Sequence, residues 1–394
     1  CEGPDADLNL YSMKLLTTLF IVSAGILSAY KPSTITLGAK APDFSLPATD
    51  GKTYTLKEFS GGKALVVIFT TNHCPDAITS HDRMIALVDH FKGKGVKFVA
   101  INSNSPDGLH PPELGWTIYD DGFEHMKLIA KDKGFNLPYL YDGETQGTAK
   151  AFGALATPHV FVFDKDLKLR YDGRMDNGRR RVGPVEKNEA RDAILAILVG
   201  KEPVVTKTRP AGCSMKWKEK AGMVAGEDAK WKAQPVTVEL AKADLLGKLV
   251  ANQGRSGMRL VNIWSTSCGP CVAEFPDLAK IYRQYSWQEF EFITISLDPP
   301  SAIGSVSGFL KRNQAGLSPR TQPLLEEEGR KTNHFIFDGD TEDLGKAIEG
   351  WDGAMPYTIL VGPEGKILYK HSGIIDPMEL KKTIVKQVWA GNSE

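Results

Sequence analysis

From about residue 36 onward, short β-rich runs alternate with longer amphipathic stretches. Ala64–Phe69 (ALVVIF) has the uninterrupted apolar pattern of a buried strand, and Val96–Asn102 (VKFVAIN) is a second such run. Asp76–His90 and Phe123–Lys133 carry helical periodicity between and after them. Pro138–Tyr141, His159–Phe163 and Lys168–Tyr171 read as short strands, and Asn188–Leu198 as a helix. Strands alternating with helices predict an α/β layer structure around a central sheet.

Residues 201–235 break the rhythm. They hold Pro203, Pro210, Gly212, Gly222 and Gly226 among clustered Lys and Arg, with no sustained apolar period. Such a stretch predicts a linker or an extended wrap-around segment. The second half then restarts the pattern. Met258–Trp264 and Phe290–Ile295 are strands flanking a helix at Pro270–Tyr285. A helix near Ile303–Asn313 and a strand at His334–Phe337 follow. Tyr357–Val361 and Lys366–Tyr369 form a hairpin, and Pro377–Trp389 closes as a helix.

The repeat is also visible in the letters. Tyr141-Asp-Gly-Glu-Thr145 recurs as Phe337-Asp-Gly-Asp-Thr341, each followed by a helical stretch and a Pro that opens a hairpin. Cys74 precedes Pro158 by 84 residues, and Cys271 precedes Pro356 by 85. Self-similarity of this kind predicts a tandem of two related folds, residues 31–200 and 236–394, joined by 201–235.

Composition narrows the function. Lys plus Arg is 48 and Asp plus Glu is 48, so the formal net charge is zero, without the basic excess of a nucleic-acid binder. The five cysteines, Cys1, Cys74, Cys213, Cys268 and Cys271, are too few to staple 394 residues. Met13-Lys-Leu-Leu opens an apolar run from Leu15 to Leu27 that exits at Ser28-Ala29. Residues 13–30 are therefore expected to be a secretory signal peptide or an N-terminal anchor. The run is short for a membrane span. On that reading the globular part is exported, periplasmic or otherwise extracytoplasmic, where thiol chemistry escapes the reducing pool.

Cys268-Gly-Pro-Cys271 falls between the strand ending at Trp264 and the following helix. A cysteine there faces unpaired N–H groups and the positive end of the helix dipole, which favour thiolate over thiol. Cys268 is expected to attack, with Cys271 one turn inside as the resolving thiol. A zinc site would need a second ligand pair at suitable spacing, and none follows. A structural disulfide enclosing two residues would restrain little chain. Redox chemistry is the expectation, with no metal and no cofactor.

Here the second half resembles the TlpA/ResA type of thioredoxin-fold thiol–disulfide oxidoreductase. The matching residues are Trp264, Cys268-Gly-Pro-Cys271, Val-Ala-Glu274-Phe-Pro276 and Met355-Pro356. The resemblance implies that Pro356 is cis, lies against the cysteine pair and offers backbone to an incoming peptide. It also implies that Glu274 handles a proton beside Cys271. Without the resemblance, Glu274 reads equally as a solvated helix charge. Ser267 departs from the aromatic residue usual before the first cysteine.

Residues 36–200 resemble the AhpC/TSA branch of the same superfold. The cues are Gly38-x-x-Ala41-Pro42-Asp43-Phe44-x-Leu46, Asp50-Gly51-Lys52 and Phe69-Thr-Thr71-Asn-His-Cys74-Pro75. They continue in Ala-Thr-Pro158, Tyr171-Asp-Gly-Arg174-Met-Asp176 and Gly212-Cys213-Ser214-x-Lys216-Trp217. Relatives of this branch often carry a cysteine where Thr71 stands, so here one cysteine of a dithiol is missing. Thr71-x-x-Cys74 also matches a peroxiredoxin, whose Thr positions peroxide at the thiolate. Val67 in place of the expected proline, and Pro158 where an Arg is expected, depart from that pattern. A copper-chaperone relative would need C-x-x-x-C, which is absent. His73 reads either as an imidazolium that acidifies Cys74 or as a surface histidine. Cys213 reads either as a small buried residue or as a resolving partner for Cys74.

Three functions follow. The first is an exported thiol–disulfide oxidoreductase working through Cys268/Cys271 on protein clients, supplied by a membrane or soluble thiol reductant. The second is a thiol peroxidase at Cys74, secondary residues Cys213, Thr71 and Pro158, with the second half as its built-in reductant. The third is a client-docking module with a degenerate first half.

Overall fold

The protein is seen as a computed structural model that describes residues 33–180 and 185–391. Cys1 and the leader expected at residues 13–30 lie outside the described residues. Among the described residues no helix is long and apolar enough to cross a membrane.

The first half opens with a hairpin, β1 (Ser45–Pro47) and β2 (Thr53–Thr55), followed by β3 (Ala64–Phe69). Next come α1 (Pro75–His90), β4 (Val96–Asn102), α2 (Phe123–Lys133), β5 (Tyr139–Tyr141) and α3 (Gly147–Phe152). A two-residue strand β6 (Ala156–Thr157), β7 (His159–Asp164), β8 (Leu169–Gly173) and α4 (Glu189–Leu198) complete it. The sheet order is β5-β4-β3-β7-β8; β3, β4 and β5 run parallel, and β7 is antiparallel to both neighbours. All six residues of β3 are buried because both faces are covered. Val66 and Ile68 meet Met84 and Leu87 of α1, Phe91 just beyond it, and Ile194 of α4. Phe69, on the other face, packs edge-on against Phe152 and Phe161. Each such side chain contributes about 1.5–3 kcal/mol on burial.

Of the two readings of residues 201–235, linker or extended wrap-around segment, the chain follows the second as far as Ser214. Asp172 of β8 donates to Thr206 and its carbonyl accepts from Thr208, so the chain first runs along the sheet edge. It then crosses to pair β9 (Cys213–Ser214) antiparallel with β6, Thr157 opposite Cys213. A Cβ on Gly212 would come within 1.9 Å of the Thr157 carbonyl oxygen, so only glycine permits this approach. α5 (Ala221–Lys232) follows. It has no buried residue, hence no apolar period to read, and is held by Trp231 against Tyr282 and by an Asp228–Arg283 ion pair.

The second half contains β10 (Glu239–Ala241), α6 (Ala243–Ala251), β11 (Met258–Trp264), α7 (Gly269–Tyr285) and β12 (Phe290–Ser296). α8 (Ile303–Arg312), α9 (Gln322–Glu327), β13 (His334–Phe337), α10 (Thr341–Ala347), β14 (Tyr357–Val361), β15 (Ile367–Ser372) and α11 (Pro377–Gly391) follow. Its sheet order, β10-β13-β12-β11-β14-β15, repeats the first sheet's order and adds one edge strand. The same pairs are parallel and antiparallel.

Both sheets belong to one compact unit beginning at Pro32. Where they meet, the C-terminal end of α7 faces the loop before α2. Gln284 Nε2 donates to the carbonyls of Leu114 (3.1 Å) and Thr117 (2.8 Å). Trp389 of α11 packs tilted against Trp116, with ring centroids 5.1 Å apart, and donates to its carbonyl.

Candidate active sites

In the second half, β11 delivers the chain to a turn pinned by Asp298, whose carboxylate accepts from the Thr266 backbone (2.8 Å) and hydroxyl (2.6 Å). Cys268 then caps α7, with Pro270 in the first turn, where its missing N–H costs nothing. Cys268 and Cys271 are joined in a disulfide with Cα atoms 5.2 Å apart. Cys268 is half-buried, Cys271 is fully buried, and the Cys271 N–H points at the Cys268 sulfur (3.3 Å). The Met355–Pro356 bond is cis, and Met355 packs on the same core cluster as Cys268. Val272, next to Cys271 in the chain, is exposed to 39%.

Glu274 is not a solvated charge. Only 2% of it is exposed. Its oxygens accept from Asn262 Nδ2 and from the Ile375 backbone N–H, both at 3.0 Å. Burial pushes its carboxyl up, and the two hydrogen bonds and His371 pull it partly back. A buried carboxyl one turn beyond Cys271, with its affinity for a proton raised, is suited to exchanging a proton. Asn262 and Ile375 carry no motif and could not be singled out in the sequence.

The first half builds its counterpart differently. Cys74 caps α1, with Pro75 behind it, and is wholly buried. Its sulfur lies 3.3 Å from the Thr157 carbonyl and accepts from the Cys213 N–H at 3.3 Å. Thr157–Pro158 is cis, like Met355–Pro356. Cys74 and Cys213 are both free thiols, and their sulfurs and an Asp76 oxygen lie within 4.8 Å of one another. Sequence reading expects no metal. This donor set, assembled across 139 residues, was not legible there, and the Asp76 carboxylate already faces Arg179 and Arg180 at 3.5 and 3.6 Å.

His73 is no surface histidine. It is 2% exposed, its Nδ1 lies 2.6 Å from Asp121, and its Nε2 has no partner among the described residues. Burial alone would push the imidazole down, but Asp121 more than offsets that and the net shift is up. Asp121, although buried, is brought down to about 2 by His73, Thr71 and the Asn72 N–H. Burial opposes a Cys74 thiolate. The Cys213 thiol, the His73 charge and the N–H groups of Ala77 and Cys213 outweigh it, so Cys74 is shifted down and Cys213 up. Thr71 donates its hydroxyl to Asp121 (2.6 Å) and accepts from Asn104, so its proton is committed away from Cys74. That weakens the peroxide-positioning role expected of Thr71.

The two thiol pairs do not face each other. A cavity of ≈ 310 Å³ touches His73 and Cys213 on one side and Trp287 and Gln288, just beyond α7, on the other. Cys268 is at the opposite end of that helix, about 25 Å away for 17 residues. The expected transfer of electrons from Cys268/Cys271 to Cys74/Cys213 within one chain does not fit this arrangement.

The redoxin family model matches residues 36–194 and again 228–387, well over half of the sequence. The chain belongs to the redoxin family. The double match bears out the tandem expected from the internal repeat. Thiol-disulfide oxidoreductase ResA of Oceanobacillus iheyensis is 29% identical to this redoxin over 131 residues, which is 33% of this chain and 52% of that protein. The chain thus spans about half the length of that relative. ResA of Bacillus thuringiensis subsp. konkukian is 26% identical over 139 residues, 35% of this chain and 70% of its own. Among solved structures, an uncharacterized conserved protein from Geobacillus kaustophilus is 40% identical, covering 48% of this chain and 96% of its own, with a TM-score of 0.42. Peroxidoxin BcpB from Mycobacterium tuberculosis is 19% identical over 42% of this chain and 97% of its own, with a TM-score of 0.31.

Proposed function

We propose that this redoxin is an exported thiol–disulfide oxidoreductase whose working dithiol is Cys268/Cys271. The observation that carries the reading is the disulfide at the N-cap of α7, with a buried Glu274 one turn further on. In the reduced form, the Cys268 thiolate attacks a client disulfide, making a mixed disulfide and releasing one client sulfur as thiolate. Cys271 then attacks the Cys268 sulfur, closing the internal disulfide and releasing the second client sulfur. Glu274 takes the proton that Cys271 gives up. Pro356, before β14, offers backbone to the client, and an upstream thiol reductant resets the pair. Export rests on the apolar run at residues 15–27, and division into residues 31–200 and 236–394 rests on the repeat. Insulin reduction by the full chain, with Cys268→Ser as control, tests the reading. Equal turnover in the two proteins would refute it.

The peroxidase reading at Cys74 keeps some support from the lowered Cys74 thiol, but loses the positioning hydroxyl of Thr71.

A further inference from the structure

The edge of β6 that precedes cis-Pro158 is where an incoming strand would add beside Cys74, and β9 of the same chain already occupies it. Lys216 and Lys218 extend the attachment. Ser105 N–H and Gln146 Nε2 both donate to the Lys216 carbonyl, the Lys216 N–H donates to Asn104, and the Lys218 N–H donates to Gln146. A protein client therefore has no edge to pair with at this site. Cys268 and Cys271 are also out of reach, at the other end of α7.

What does reach the pair is the ≈ 310 Å³ cavity, the size of a small-molecule site and too small for a folded partner. Cys213 lines it and Cys74 does not, because Cys74 is wholly buried behind. The charged groups on the cavity wall are Arg180, Arg320, His73 and Glu113, with Trp287 as an apolar side. Glu113 is already matched by Lys216, and Asp76 behind the wall by Arg179 and Arg180. The buried His73 Nε2 has no partner among the described residues. With His73 held by Asp121 and Arg180 shared with Asp76, the charge left for a ligand among the described residues is that of Arg320, and it is positive.

We propose that Cys74 and Cys213 are a second redox couple, exchanging with a small anionic thiol and its disulfide that enter through this cavity, with Cys213 as the sulfur attacked. Closing the couple needs a side-chain rotation that brings sulfurs now within 4.8 Å to about 2.05 Å. In reduction, a small thiolate attacks Cys213 of the closed pair. A bond forms from that sulfur to Cys213, the Cys213–Cys74 bond breaks, and Cys74 leaves with the electron pair. The α1 N-terminus, the Cys213 N–H and the His73 charge receive that thiolate. A second small thiolate then attacks the first one's sulfur, releasing Cys213, which takes a proton from water. Two small thiols become one disulfide and one protein disulfide becomes two thiols. Oxidation by the small disulfide runs the same steps in reverse.

The test uses the full chain with Cys268→Ser and Cys271→Ser, so that exchange at the first half is read alone. Glutathione disulfide, anionic, and cystamine, cationic, are the probes, followed by mass-spectrometric mapping. Glutathione disulfide should close Cys74–Cys213, and adding Cys74→Ser should leave the glutathione adduct on Cys213. Arg320→Gln, which leaves the sulfurs untouched, should slow glutathione roughly tenfold and cystamine not at all. In the otherwise unaltered chain, Arg320→Gln should leave insulin reduction unchanged. Three results overturn the proposal: no Cys74–Cys213 link, an adduct that forms on Cys74 as fast in Cys213→Ser, or equal slowing of both probes.

Discussion

The two halves place a cysteine at the same point of the same topology, after a central strand and at the cap of the next helix, yet complete the site in opposite ways. In the second half the partner sulfur is one helical turn away, and the reactive one is half-exposed. In the first half, Ala77 stands one turn into α1, where α7 has Cys271, and Cys213 arrives on β9 from 139 residues downstream. A short, local pair leaves its docking edge free for others. A pair closed by a remote strand uses that edge up. The difference between the halves is thus in access more than in thiol chemistry.

The sharpest way to break this comparison is at Cys268. Cys268→Ser should lower insulin reduction by roughly ten-thousandfold, whereas Cys74→Ser should leave it within a factor of two. Cys271→Ser should instead accumulate mixed disulfides, visible on non-reducing gels. Comparable losses from Cys268→Ser and Cys74→Ser would erase the division of labour.

The next effect is on the buried pair under Cys74. Asp121→Asn removes one partner of a buried ion pair and should cost about 3–5 kcal/mol in urea denaturation. The pH dependence has a definite sign. Asp121, held at about 2, contributes stability above about 3.9 that is lost as pH falls through its folded value. His73, raised in the fold, contributes stability below about 6.5 that is lost as pH rises through its folded value. The pair is fully stabilising between those limits, and the variant should lose the pH dependence that the wild type shows outside them. Alkylation of Cys74 in the variant should also need a higher pH.

Glu274→Gln separates proton handling from nucleophilicity in the second half. It should slow exchange about tenfold and flatten the pH–rate profile, while alkylation at Cys268 keeps its rate. An unchanged profile would assign Glu274 to packing alone. The smallest effect is expected where the halves meet. Trp389→Phe loses the hydrogen bond to Trp116 and should cost about 1 kcal/mol in denaturation, with insulin reduction unaltered.

Much of this contrast was written in the chain. Strands β3, β4, β11 and β13 and helix α7 fall within a residue of their predicted bounds because apolar runs and a Pro at a helix start are local signals. Cys268 and Cys271 declared themselves by spacing. Asp121, Asn104 and Asn262 did not, since a buried polar side chain is recognisable only by the partner the fold brings to it. The burial of His73 and Glu274 was hidden for the same reason. β9 was illegible because two residues have no periodicity, and α5 because it has no fully buried face.

The anchoring of residues 213–218 also bears on synthesis. The first sheet is encoded by residue 173, and α4 ends at Leu198, yet Asn104 and Gln146 still await backbone partners at Lys216 and Lys218. A nascent chain that has emerged only as far as residue 200 carries those buried groups unpaired, at about 1–3 kcal/mol each. It also carries Cys74 without its cover. Until the ribosome has released the five residues that follow Cys213, the unfinished half presents an uncapped thiol and an open strand edge to its surroundings. A fragment meant to represent that half must therefore end after Lys218, not at the close of α4.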